Sequence, residues 1–133
     1  MKHIMDIENL INTIIQASYE VKKNLVPGYL EIVYRRSLAQ ELRLRGINCI
    51  EEMPITVHYK GVAVGDYRAD IVVEDSVILE LKVVDALTTA HEVQLVNYLT
   101  STGLDHGLLI NFGNYSEKPR RKWRVYTPPV KKS

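Results

Sequence analysis

The sequence is short of the features that most directly advertise a function. A single cysteine, Cys49, stands among 133 residues, which excludes an intramolecular disulfide. Set in the run Ile47-Asn48-Cys49-Ile50, it reads as a small buried residue. No apolar run approaches the roughly 20 residues of a membrane span. Asp6 and Glu8 interrupt the apolar start of the chain, so no secretory leader is expected and the chain is read as cytoplasmic. Gly61, Gly65, Gly103, Gly107 and Gly113 are scattered, leaving no phosphate-cradling loop, and no serine sits in a nucleophile elbow. His3, His58, His91 and His106 lack the spacing of a zinc site. Internal repeats, low-complexity tracts and Gly/Ser linkers are also missing. One domain is therefore expected, over residues 1–126, followed by a basic mobile tail, 127–133.

What remains is an ordinary globular composition, 46% hydrophobic and 25% charged, in a chain long enough to bury its own core. The net charge of +1 does not by itself point to nucleic acid. Its distribution is less even. Lys118, Arg120, Arg121, Lys122, Arg124, Lys131 and Lys132 gather near the C-terminus, with Glu117 the acid beside them. Such a cluster can neutralise phosphates or can be a solvated tail.

Apolar periodicity predicts a helix through Ile7, Leu10, Ile11, Ile14, Ile15, Val21 and Leu25, ending at Pro27-Gly28. A second helix is expected from near Gly28 through Leu30, Val33, Leu38 and Leu42, with Gly46 as its C-terminal cap. Strand signals follow. Cys49 to Val57 is interrupted by Pro54, Lys60-Gly61 reads as a hairpin turn, and strands are expected over Arg68–Val73 and Val77–Val84. Thr88 or Thr89 can cap a third helix that Gly103 ends. Asp105–Phe112 reads as a core strand and Lys122–Tyr126 as an edge strand. Helices, a hairpin-linked run of strands and a helical crossover imply an α/β fold with a mixed sheet flanked by helices.

The chemistry shows as a break in strand patterning. In Val77-Ile78-Leu79-Glu80-Leu81-Lys82-Val83-Val84, alternation puts Glu80 and Lys82 on one face with Ile78 and Val84. A strand this apolar is normally covered on both sides, so the two charges need compensation, from an ion and phosphate or from a local ion pair. The preceding strand puts Asp66, Arg68 and Asp70 on one face and Tyr67, Ala69, Ile71 and Val73 on the other. The turn Glu74-Asp75-Ser76 folds it back antiparallel, so Asp70 can stand beside Glu80 and Lys82. Two carboxylates and a lysine suit metal-assisted phosphate hydrolysis, in which hard oxygens hold Mg²⁺ or Mn²⁺ and the amine orients water or steadies an oxyanion.

Asp70 followed by Glu80-Leu81-Lys82 resembles the PD-(D/E)XK nuclease superfamily, with Ala69 where the nominal proline stands. Gly28-Tyr29-Leu30-Glu31-Ile32-Val33-Tyr34 matches the signature of the GxxExxY group of small nuclease-like proteins within it. Gln94-Leu95-Val96-Asn97-Tyr98 has the QxxxY form and is similar to the helical motif of RecB-like nuclease domains. The likeness runs from about Leu10 to Phe112 and implies a restriction-endonuclease-like single domain.

The resemblance implies that Asp70 and Glu80 are metal ligands, Glu31 an auxiliary ligand acting directly or through water, and Lys82 the residue that orients or activates water. Gln94 and Tyr98, on one helical face, would contact substrate phosphate or brace the lysine. Arg68 is a candidate phosphate contact, or an ion-pair partner of Asp66 or Asp70. His91, three residues before Gln94, is a candidate substrate contact bordering the cleft. Tyr34 reads as packed and Asp66 as a turn residue. The expectation is a Mg²⁺-dependent nuclease, with Mn²⁺ as a substitute, acting on nucleic acid and first of all DNA. A homodimer is left open, because a domain this small can need a second copy to grip a duplex. Two rivals stand beside it: a non-catalytic nucleic-acid-binding module, and a protein-interaction module keeping the same fold.

Overall fold

The computed structural model describes residues 5–124. The proposed tail at 127–133, the distal part of the expected edge strand and two lysines of the basic cluster lie outside the described residues.

Three helices and five strands follow in the order α1 (Ile7–Asn24), α2 (Glu31–Leu44), β1 (Cys49–Tyr59), β2 (Val62–Val73), β3 (Val77–Lys82), α3 (Thr89–Thr102), β4 (His106–Asn111) and β5 (Arg120–Trp123). The strands form one sheet in the order β1-β2-β3-β4-β5. Only β3 and β4, joined by the α3 crossover, run parallel; the other neighbouring pairs are antiparallel. The α/β class and the mixed, helix-flanked sheet agree with expectation. Among the described residues, no helix is long and apolar enough to cross a membrane.

α1 and α2 cover one face of the sheet. Leu10, Ile14, Tyr34, Leu38 and Leu42 pack there against Ile71, Val73, Leu79, Leu81, Leu108, Ile110 and Phe112. α3 covers the other face, where Leu95, Tyr98 and Leu99 meet Ile55, Ala69, Val72, Ile78 and Leu109. β3 is thus buried from both sides, which is why its sequence is nearly continuous in apolar residues.

Local chemistry sets several boundaries. Asp6 caps α1 by accepting the Asn9 amide at 2.9 Å. α2 ends in a Schellman arrangement, with the Gly46 amide donating to Arg43 and the Ile47 amide to Leu42. Lys60 and Gly61 both take positive φ, 47° and 83°, the signature of a type I′ hairpin turn. Pro54 does not end β1: the strand runs through it, paired with Arg68, because β1 lies at the sheet edge, where a missing amide is tolerated. Asp66 is likewise no turn residue; it lies within β2 opposite Thr56.

α2 begins later than expected, at Glu31 instead of near Gly28. Gly28 has φ of 115°, outside the helical range, with nothing within 4 Å of where a Cβ would sit, so glycine is there for its backbone and not for space. The Tyr34 hydroxyl accepts the amides of Gly28 at 3.2 Å and Tyr29 at 3.3 Å. Tyr115 adds its own hydroxyl at 3.2 Å from that of Tyr34 while donating to the Leu25 carbonyl at 2.9 Å. Tyr34 itself is fully buried and stacked on Phe112 at 4.7 Å between ring centroids. A loop is thereby fastened to the core so that the next residue after it, Glu31, opens the helix.

Candidate functional site

β2 and β3 pair from Val73 opposite Val77 to Ile71 opposite Leu79. One step further they part, because β2 continues with β1 as a hairpin while β3 continues with β4 as far as Lys82 opposite Asn111. Asp70 and Glu80 stand at this fork. The Asp70 amide donates to Glu80 Oε1 at 3.1 Å, and the Leu81 amide donates to Asp70 Oδ2 at 2.7 Å. Side-chain carboxylates therefore supply the acceptors that the separating backbones no longer offer each other. Each acid takes one backbone amide, and the side-chain carboxyls of Glu80 and Glu31 both lie within hydrogen-bonding reach of Asp70.

Burial, and after it the Asp70 charge, push the Glu80 carboxyl up to about 8. Glu31 reaches the same point from the first turn of α2. Its carboxyl is raised to about 7, again by burial first and then by the charge of Asp70, whose carboxyl lies within hydrogen-bonding reach. Lys82 and Arg35 offset part of this crowding. Arg35 is held by Glu51 at 3.4 Å and Glu52 at 3.2 Å. Three carboxyls thus share one corner with too little positive charge to keep all of them ionised at neutral pH.

Lys82 Nζ donates to Gln94 Oε1 at 3.0 Å, joining the end of β3 to α3. Tyr98, one turn further along α3, is largely buried against Tyr67, with ring centroids 5.6 Å apart. Burial first, then the charges of Glu80 and Asp70, raise its phenol.

Two sequence-predicted residues stand elsewhere. His91 is built into the start of α3: its Nδ1 accepts the Thr88 amide at 3.1 Å while Thr88 Oγ1 accepts the His91 amide, a capping box. Arg68 reaches neither Asp66 nor Asp70; its nearest acid is Glu52 at 3.9 Å, and its side chain is 68% exposed. The reason is a slip in the pleat. Tyr67 and Ala69 face α3, whereas Ile71 and Val73 face α1 and α2, so the strand does not keep these four on one side as simple alternation requires. Opposite this slip, Glu52 adopts φ of 53° between the pairs Glu51–Ile71 and Met53–Ala69. Arg68, between two residues that look toward α3, looks the other way.

Over its described part the basic cluster is mostly ion-paired, with Lys118 left exposed. Arg120 pairs with Glu92 and Glu117, Arg121 with Glu8, Lys122 with Glu92 and Arg124 with Asp105. Cys49 is half-buried, its thiol 3.8 Å from the Ala39 carbonyl and raised by burial.

Asn111 and Glu117 were not visible as site-builders in the sequence. The buried Asn111 accepts the amides of Val84 at 3.1 Å and Gly113 at 2.8 Å, and donates to the Val84 carbonyl and Glu117, both at 2.8 Å. Glu117 also accepts the Leu87 amide at 3.1 Å. Together they hold the loop that carries the chain from Lys82 to α3. The one available signal was an amide closing an otherwise apolar strand, Leu108-Leu109-Ile110-Asn111.

Among the described residues, no three His, Cys, Asp or Glu side chains are already closed around a point that could hold an ion. By donor chemistry the set still fits a hard divalent cation: its members are carboxylates, and burial, then the charge of Asp70, raises two of them, a crowding that a cation would relieve.

A family model described as the PD-(D/E)XK nuclease superfamily matches residues 8–124. No curated protein and no solved structure matches the chain.

Proposed function

Because the chain belongs to the PD-(D/E)XK nuclease superfamily, we propose that it is a Mg²⁺-dependent nuclease that hydrolyses phosphodiester bonds of nucleic acid, DNA in the first instance, within a single domain. The observation that carries this reading is the fork at which Asp70 and Glu80 meet beside a Lys82 fixed by Gln94. The spacing Gly28, Glu31, Tyr34 supports the finer assignment to the GxxExxY group, since here it converts a fastened loop into a helix that starts on a carboxylate.

In this reading Asp70, Glu80 and Glu31 would hold the ion. When bound, a divalent cation supplies Lewis acidity toward the phosphodiester and lowers the pKa of water. The Lys82 ammonium orients the attacking water or steadies charge on the phosphate; Gln94 keeps it from swinging onto the acids. Neither Arg68 nor His91 is needed to hold the ion in this reading.

The test is the purified chain with Mg²⁺ or Mn²⁺ on single-stranded, duplex and branched DNA and RNA. Cation-dependent cleavage is expected, reduced by about 100-fold or more in Lys82→Ala. Cleavage that survives this substitution unchanged removes the mechanism.

One observation favours a second reading, a nucleic-acid-binding module that keeps the fold: both acids already serve the sheet as amide acceptors. Its signature is salt-sensitive binding indifferent to cations and to Glu80→Ala.

A further inference from the structure

The β1–β2 hairpin outruns the rest of the sheet. β3 pairs with β2 only at Ile71–Val73, so the ribbon from Pro54 to Arg68 stands as a two-stranded arm with α3 alongside. Between arm and helix lies a cleft of about 500 Å³, within the roughly 300–1,000 Å³ of small-ligand pockets. Val57 and Tyr67 wall it on the arm, and Val93, Asn97, Tyr98 and Ser101 on the helix.

The lining joins two aromatic rings and the aliphatic Val57, Ala90 and Val93 to neutral polar groups, and carries no charged side chain. It is therefore no track for a phosphate backbone. Tyr67 is 48% exposed, and its ring rests against that of Tyr98 at an angle of 44°. Gly65 lies under it: a Cβ there would meet the ring at 3.0 Å, so the absent side chain lets the ring lie along the strand. Asn97 offers an amide donor and an acceptor, and Ser101 a hydroxyl. A flat π-surface bordered by neutral hydrogen-bonding groups matches a nucleobase, which has a π-face and an edge of donors and acceptors.

Gln94 links this cleft to the acids. It lines the cleft while its oxygen is taken up by Lys82 and its amide lies within hydrogen-bonding reach of the Tyr98 hydroxyl. A base held in the cleft would lie beside Gln94, whose oxygen is bonded to Lys82, so the cleft and the acid corner are neighbours. Bases in an intact duplex are stacked and paired, with faces and edges covered, so an intact duplex cannot fill the cleft.

We propose that this cleft takes one unpaired nucleobase of the strand to be cut, making the chain a nuclease of single-stranded or frayed nucleic acid. The proposal rests on the nuclease reading above and adds the state of its substrate.

Binding of short DNA and RNA oligonucleotides, single-stranded and as duplexes of the same sequence, is to be measured with Ca²⁺ in place of Mg²⁺ so that cleavage does not intervene. The single strand of at least one polymer is expected to bind more tightly than its duplex. Tyr67→Ala should weaken that binding about ten-fold, with Tyr67→Phe near wild type. Asn97→Ala should weaken it less, and a 2-aminopurine base in the strand should be quenched by wild type and not by Tyr67→Ala. Circular dichroism on each variant establishes that it is folded. Duplex binding as tight as single-strand binding, or Tyr67→Ala binding like wild type, overturns the proposal. Mn²⁺ titration calorimetry on the same preparations tests the underlying reading separately. No heat from wild type sinks the nuclease itself, whereas a metal signal with no single-strand preference sinks the cleft alone.

Discussion

Replacing the Glu80 carboxylate with an amide should make the metal-free protein more stable at alkaline pH. Glu80 is 4% exposed, and its carboxyl is pushed up to about 8 by burial and then by Asp70. Between the unfolded value of 4.5 and about 8 the folded chain binds a proton that the unfolded chain has released. Stability contributed by this group is therefore full below pH 4.5, falls as pH rises and is lost above about 8. At about 1.4 kcal/mol per pH unit the full rise caps the penalty near 5 kcal/mol. Glu31 and Asp70 share the same crowded charge, so a net effect of about 2–4 kcal/mol is expected. In Glu80→Gln the side-chain carbonyl oxygen can still accept the Asp70 amide, so the variant should match wild type near pH 4.5 and exceed it at pH 9. Urea denaturation followed by circular dichroism in EDTA at both pH values reads this directly. Saturating Mg²⁺ should reverse the order by stabilising only the wild type. Parallel pH dependence in the two proteins would refute the account, because it would mean that Glu80 ionises without hindrance.

Tyr34→Phe keeps the ring stacked on Phe112 but leaves the Gly28 and Tyr29 amides without their acceptor. A loss of about 1–2 kcal/mol in denaturation and a several-fold weaker Mn²⁺ affinity by calorimetry are expected, since Glu31 is no longer held at the site. Asn111→Leu preserves bulk but removes the acceptor of the part-buried amides of Val84 and Gly113, and should cost about 1–3 kcal/mol by urea denaturation. His91→Ala should remove about 0.5–1 kcal/mol of capping, seen as a lower Tm, while the cleavage rate stays unchanged.

What could be read in advance was what neighbouring residues decide between themselves. The Lys60-Gly61 turn, the Gly46 and Gly103 caps and the Thr88 cap each depend on a few consecutive residues, and each lies where the pattern put it. The residues that misled depend on partners far along the chain. Pro54 is tolerated because nothing pairs with the outer edge of β1. The start of α2 is set by a hydroxyl six residues on, itself met by Tyr115. The basic cluster looked unopposed only because its acids, Glu8 and Glu92, come from α1 and α3. In the candidate site, parity placed Glu80 and Lys82 on the α3 side of β3, while the position of Arg68 was hidden by the slip opposite Glu52, which alternation alone does not reveal.

On the proposed function the acids at the fork answer to two demands at once, and that shapes what decay of such a protein would look like. If the proposed function holds, a descendant released from cutting nucleic acid would still need an acceptor at the amides of Asp70 and Leu81. Selection for folding alone would drift those acids toward Asn and Gln, which retain a carbonyl oxygen, before it tolerated apolar residues. Lys82 holds no backbone group, so its replacement would be the earliest mark of a copy that has gone silent.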